Sequence, residues 1–195
     1  MELESLPLPD ADLGFAAAWM EASSAHALQQ TLRAQLPWSV HRIRLFGREV
    51  DSPRLSAWIG DPDATYRYSG TRFDPHPWPQ VLEPLRERLS GMLGVPFNSV
   101  LANLYRDGRD AMGWHSDDEP ELGPEPVIAS LSLGAMRRFV LKHRNNPAHR
   151  LALDLPAGSL LVMRGATQRF YRHALPRTAR PVGERINLTF RWIQR

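Results

Sequence analysis

The chain of 195 residues contains no cysteine. Disulfide staples, thiolate zinc sites, iron–sulfur clusters and cysteine nucleophiles are therefore excluded, and any metal must be held by nitrogen and oxygen. Lysine is nearly absent too: Lys142 is the one exception among 24 basic residues. Such a bias reflects either arginine-rich coding or recognition of phosphate and carboxylate groups, where a planar guanidinium outperforms an ammonium. Composition alone does not separate the two. Long apolar runs are missing, and a stretch such as Gly158 to Met163 is far too short to cross a bilayer. The opening MELESLPLPD is acidic and proline-containing, unlike a signal peptide. A cytoplasmic protein with no membrane partner is expected. Also missing are a glycine-rich dinucleotide loop, a Walker loop, a Gly-x-Ser-x-Gly elbow and a His-Glu-x-x-His pair.

What is present suits one domain with a sizeable core: 43% hydrophobic and 23% charged residues. A net charge of +3 mildly favours an anionic partner. Residues 1–11 read as a loose tail. Phe15, Trp19, Ala22, Leu28, Leu32 and Leu36 recur near helical spacing until Pro37. Residues 40–46 alternate as a strand, and 47–79, rich in Pro, Gly and Asp, read as hairpins and loops. A second helix is expected over 79–92, with Pro84 kinking it or marking its start. From residue 100 the runs 100–106, 126–133, 137–142, 150–155, 159–163, 169–174 and 185–193 predict many short strands. That spacing favours a sandwich or jelly roll over a parallel sheet.

Four short segments carry chemistry. The pair His115-x-Asp117 can place an imidazole and a carboxylate on one side of a strand. About 0.4 such pairs are expected by chance in this composition, so the pair is weak alone. Arg185-Ile186-Asn187-Leu188-Thr189-Phe190-Arg191 alternates strictly. Its apolar face must pack outward, which leaves two guanidiniums inside a sandwich, where they require anionic partners. His173 completes two histidines and one carboxylate, a set that suits non-haem iron(II) with open positions. Asn103 and Tyr105 alternate on one strand face and can donate neutral hydrogen bonds to a carboxylate. Iron on three protein ligands, with arginines beside it for a dianionic co-substrate, is the pattern of a 2-oxoglutarate-dependent oxygenase. A zinc hydrolase on the same ligands, or an arginine-lined nucleic-acid-binding β-sandwich without catalysis, stays open.

The runs Asn103-Leu104-Tyr105-Arg106, Trp114-His115-Ser116-Asp117-Asp118-Glu119-Pro120, Ile128 to Gly134 and Arg185 to Arg191 resemble the AlkB family of iron(II)/2-oxoglutarate dioxygenases. The likeness is closest to members that repair alkylated nucleic acid. It covers about residue 40 to the C-terminus.

This resemblance implies a mainly β fold with some α: a double-stranded β-helix core over 100–195 and a nucleotide-recognition lid with a supporting helix over 40–99; residues 1–39, which carry none of the likeness, read as an N-terminal tail and helices. It implies His115, Asp117 and His173 on iron, and Arg185 on the far carboxylate of 2-oxoglutarate with Asn103 and Tyr105 helping. Arg191 would stand nearer the metal and Asn187 between the two arginines. The segments Pro53 to Trp58 and Tyr66 to Ser69 resemble the lid, with Trp58, Tyr66 and Tyr68 offered to a base. The implied activity is oxidative demethylation of bases such as N1-methyladenine and N3-methylcytosine in DNA or RNA, using O2 and releasing formaldehyde; a monomer is expected. These lesions are cationic, so the acids Asp118 and Glu119 are expected to favour them, with Asp118 accepting from the exocyclic amine. A same-fold oxygenase acting on a protein or a small molecule is the competing expectation.

Overall fold

The computed structural model describes residues 2–45, 48–68 and 71–194. Alternating segments become strands, and the polar-rich turns between them close antiparallel pairs. Strands β1 (Glu4–Ser5) and β2 (Asp12–Ala16) precede helix α1 (Ala22–Gln35). Then come β3 (Ser39–Leu45), β4 (Arg48–Gly60), β5 (Tyr66–Tyr68), β6 (Thr71–Phe73) and helix α2 (Glu83–Leu93). The rest is almost wholly strand: β7 (Ser99–Tyr105), β8 (Met112–His115), β9 (Ile128–Gly134), β10 (Arg137–His143), β11 (Arg150–Leu155) and β12 (Leu160–Arg164). The one-turn helix α3 (Thr167–Phe170), β13 (Tyr171–Leu175) and β14 (Arg185–Arg191) complete the chain.

Eight strands form a large sheet in the order β1-β2-β12-β9-β14-β7-β4-β3. Four form a smaller sheet in the order β11-β10-β13-β8, and β5 pairs with β6 as a separate hairpin. The two main sheets make the jelly roll.

Period-two alternation in the large sheet sends its two faces to different cores. Ile186, Leu188 and Phe190 of β14, with Val100, Ala102 and Leu104 of β7, pack beneath α1 and α2 through Ala25, Leu32, Leu85 and Leu89. The opposite face meets the small sheet, where Trp58, Ile128, Leu161 and Met163 pack with Leu141, Leu155 and Tyr171. The same inward face of β14 carries Arg185, Asn187, Thr189 and Arg191, all under 9% exposed. The functional residues therefore lie between the sheets.

Several expectations are corrected. Residues 1–11 are not a loose tail: β1 pairs with β2, and the Tyr171 hydroxyl donates to the Pro9 carbonyl at 2.6 Å. Phe15 lies on β2, opposite Leu161 of β12, so the first helix starts at Ala22 rather than near Phe15. Residues 48–60, within the region expected as hairpins and loops, form one long strand, β4, antiparallel to β3, and residues 55–60 pair in register with β7. The Pro53 to Trp58 segment is thus part of a strand. Pro84 marks the start of α2, a position where its missing N–H costs nothing. Gly94 ends that helix with φ +67°, the left-handed conformation glycine adopts without strain.

Phe190 is fully buried, 6.3 Å from Trp78 and 6.1 Å from Phe97 between ring centroids. Phe190→Ala should cost about 3–5 kcal/mol in urea unfolding; a loss below about 1 kcal/mol would show that this layer repacks freely.

Candidate metal centre and anion pocket

His115 closes β8 and His173 sits opposite it on β13, in register and on the same inner face. Their ring centroids are 4.2 Å apart. Asp117 follows immediately, with Oδ1 3.8 Å from His115 Nε2. One ligand atom from each of the three residues lies within 4.8 Å of the others. Local bonds fix this segment: the Asp117 N–H donates to Gln168 Oε1 at 3.0 Å, and the Ser116 hydroxyl to the Tyr171 carbonyl at 2.7 Å. The His115 Nδ1–H donates to the Gly113 carbonyl at 2.8 Å, which assigns the tautomer that leaves Nε2 as the lone-pair donor.

Electrostatics prepare the set for a cation. Burial drives the His173 pKa down to about 3, with His115 acting in the same direction, and burial lowers His115 as well. Both rings are neutral ligands at ordinary pH. Burial opposes ionisation of Asp117, but Arg191, His173 and His115 outweigh it and hold its pKa at about 2. The largest of those three is Arg191, whose Nη2 donates to Asp117 Oδ1 at 2.9 Å. Two nitrogens and one carboxylate oxygen, all gathered at one side of a cavity, fit iron(II).

The cavity is lined by these residues and by Asn103, Tyr105, Met112, Ser130, Phe139, Met163, Leu175, Arg185, Asn187 and Thr189. Arg185 is 1% exposed. Its Nη2 donates to Ser132 Oγ at 2.9 Å, and its guanidinium stands 5.3 Å from the Tyr105 ring centroid. Nε and Nη1 have no hydrogen-bond partner. Burial lowers its pKa to about 10, so it is a cation without a carboxylate neighbour. A buried guanidinium with two unused donors, aimed into a cavity beside a metal-ligand set, fits one carboxylate of a small diacid.

The other sequence-predicted residues divide. Asn103 and Tyr105 line the cavity. Asn103 Oδ1 accepts from Arg54 Nε at 2.7 Å, so the amide is oriented and its NH2 is the group left to act. Asn187 also lines the cavity, but its Nδ2 already donates to Ser130 Oγ and the Leu131 carbonyl. Both N–H groups are spent tying β14 to β9, so Asn187 offers no donor to a co-substrate. Trp58 is corrected from stacking platform to core: it is 3% exposed and its indole N–H donates to the Ala64 carbonyl at 2.9 Å. Tyr66 and Tyr68 lie on β5, in register with Phe73 and Thr71 of β6, and their side chains lie outside the described part of the structure. Asp118 and Glu119 do not line the cavity. Asp118 is half exposed and ion-paired to Arg144, which offsets the anionic field expected of the two acids.

Sequence reasoning missed Arg54, Arg144 and Gln168. The alternation Arg54, Ser56, Trp58 along β4 was the available signal for Arg54. No comparable pattern marks Gln168, which reaches Asp117 from a one-turn helix.

Residues 12–191 match the 2OG-Fe(II) oxygenase superfamily. The chain is 44% identical over 159 residues to the human DNA oxidative demethylase ALKBH2, covering 78% of this chain and 61% of that protein. It is 37% identical over 184 residues to the human alpha-ketoglutarate-dependent dioxygenase alkB homolog 3, covering 90% and 64%. The chain thus spans about three fifths of the length of these relatives. The solved structure of OsALKBH1 shares the fold, with a TM-score of 0.62 at 15% identity over 97% of this chain and 99% of that one.

A buried cation short of partners lowers stability when no ligand is bound. Arg185→Met should therefore melt no lower than wild type without ligand, with a gain of up to roughly 1–4 kcal/mol. Wild type should gain about 2.7 kcal/mol from 2-oxoglutarate at a hundredfold excess over its Kd, and the variant none. Thermal melts with and without the diacid read both. A variant that melts far lower without ligand would show that Arg185 is structural.

Proposed function

The chain belongs to the 2OG-Fe(II) oxygenase superfamily, in its AlkB branch, and from that premise we propose an oxidative demethylase of N-alkylated bases in nucleic acid, dependent on iron(II) and 2-oxoglutarate. One observation carries the reading: two neutral imidazoles and an ionised aspartate within 4.8 Å, in the same cavity as a buried guanidinium without an anion. A hydrolytic metal site needs the first feature and has no use for the second.

His115, Asp117 and His173 would hold the metal, and Arg185, with Asn103 and Tyr105, the far carboxylate of the co-substrate. When bound, iron(II) with 2-oxoglutarate and O2 supplies the oxidation that hydroxylates an N-methyl carbon while the co-substrate loses carbon dioxide and becomes succinate. The chain's own part is placement and exclusion of water. Gly113 keeps the His115 lone pair turned inward. Arg191 keeps Asp117 ionised and oriented, so that ligand needs no proton loss when the metal arrives. Met112, Phe139, Met163 and Leu175 supply apolar cavity wall around the polar groups. The product on nitrogen, a hydroxymethyl group, departs as formaldehyde.

A methyl group on a base edge is out of reach inside a stacked duplex, so the target base must be extruded or unpaired. By likeness to the demethylase relatives, N-methylated bases such as N1-methyladenine and N3-methylcytosine in DNA are the substrates of this reading. The working unit is taken to be one molecule, since one chain supplies every ligand and both arginines.

The test is anaerobic loading with iron(II) and 2-oxoglutarate, then air and a methylated oligonucleotide, with formaldehyde and succinate measured together. Equal amounts of both, dependent on the oligonucleotide, are expected. His173→Ala should lose both products by at least about a hundredfold. Succinate formation that methylated oligonucleotides leave unchanged would redirect the reading to another substrate class. Oligonucleotide binding with no turnover would remove the enzyme altogether.

A further inference from the structure

The outer face of the small sheet carries charges that its own strands leave unbalanced. Lys142 of β10 lies directly opposite Arg150 of β11 on one side and Arg172 of β13 on the other. All three are exposed, and directly opposed residues on neighbouring strands project from the same face. Like charges in that relation destabilise a sheet. No salt bridge joins any of the three to an acid among the described residues, although neighbouring Arg138 on β10 is paired with Asp154. The sequence holds one lysine, and it stands in the middle of this row.

An aromatic ring adjoins the row. Trp114 projects from β8 on the side opposite to His115, is 46% exposed, and carries the Lys142 ammonium 4.2 Å from its ring centroid. Beside the cations runs an aliphatic line, Val140 with Ala174 and Ala152 opposite it. β8 is the edge strand of this sheet. A chain leaving the candidate metal centre around that edge meets Trp114 first, then Arg172 and Lys142, then Arg150. Two strand spacings, about 10 Å, separate the outer cations.

We propose that this face is a backbone-binding track for the nucleic-acid strand that flanks the target base, with Lys142, Arg150 and Arg172 on consecutive phosphates and Trp114 stacking a base. The inference rests on the nucleic-acid reading above. A linear polyanion carrying planar rings matches a straight row of cations beside an exposed indole. The depression over this face, lined by Trp114, Val140, Lys142, Arg150 and Ala152, is broad and open to solvent, which suits an extended polymer better than a small free anion.

The combined variant Lys142→Gln, Arg150→Gln, Arg172→Gln tests it, because removing mutual repulsion at exposed positions should leave the melting temperature equal or higher. Binding of a long methylated single strand to the metal-loaded protein, read by fluorescence anisotropy across a salt series, should weaken at least about tenfold at low salt. The slope of log Kd against log salt should fall by about two units, the share of three lost phosphate contacts. Turnover of a methylated trinucleotide, too short to reach the track, should stay unchanged. Trp114→Ala should weaken long-strand binding without altering the salt slope. Long-strand affinity within about twofold of wild type, with the slope intact, overturns the proposal. Equal losses on the trinucleotide and the long strand also overturn it, since the defect would then lie at the centre itself. If wild type turns over neither substrate, the functional reading has failed, and the anisotropy comparison still decides the surface.

Discussion

Arg191, at the end of β14, and Asp117, in the segment after β8, lie 74 residues apart in sequence and meet 2.9 Å apart with each side chain 4% exposed. Desolvating two charges costs several kcal/mol each, and their attraction offsets this only when the geometry is good and the remaining polar atoms are satisfied. The pair fixes how the end of β14 faces the segment after β8. It also decides the charge of Asp117, because burial alone would favour the protonated acid. A protonated aspartate donates a hydrogen bond and is a poor ligand; an ionised one accepts a metal. The placing of His115 and His173 on the neighbouring strands matters chemically only because this carboxylate stays ionised.

That arrangement makes the interior polar where a jelly roll would ordinarily be apolar, and the surroundings show how the cost is contained. Inward-facing Asn187 and Thr189 bond to each other, and Asn187 also bonds to Ser130, so the middle of β14 is satisfied within the protein. Arg54 is bonded to Asn103 and Ser52. Among the described residues lining the cavity, Arg185 is the arginine that has unused donors and no carboxylate beside it. Uncompensated charge thus collects at one point of the cavity, removed from the Arg191–Asp117 pair along β14. A ligand bearing a carboxylate at one end and metal-binding oxygens at the other would satisfy both places at once.

Much of this was legible in residues 185–191, because a strand has a period of two and an apolar face must find a core. Which face that was did not need a structure: Ile186, Leu188 and Phe190 could only pack away from the arginines. The reading failed where a local signal was overridden by pairing partners. Pro53 and Asp51 made the stretch after residue 47 look like short hairpins and loops, yet β4 runs through it and tolerates the proline. Pairing with β7 begins only at Leu55, and the register against β3 shifts between Val40 and Arg42, close to where a missing N–H would otherwise be required. The likeness to a lid made Trp58 look available to a base, although its alternation with Arg54 and Ser56 points it between the sheets. Phe15 and Trp19 fell at helical spacing by coincidence, and the edge of β12 captured the residues around Phe15 as a strand. The partner of Asp118 was out of reach for another reason: Arg144 is 26 residues away, and no periodicity links them.

The arginine excess can now be sorted by environment. Exposed pairs such as Arg138–Asp154 and Arg109–Asp107 contribute little each, and codon bias explains them as well as selection does. Arg54, Arg137, Arg185 and Arg191 are different, since all four are 6% exposed or less. Arg137 donates to three main-chain carbonyls, those of Asp107, Asp110 and Pro176, a fan of bonds that a planar five-donor group can make and an ammonium on a flexible stem makes poorly. Coding bias supplies arginine everywhere with equal ease and gives no reason to bury it. Burial is expensive wherever the fork is not filled. The cavity therefore holds the cations that the protein could least easily keep without a use, and that asymmetry points to the pocket as the place where an anion belongs.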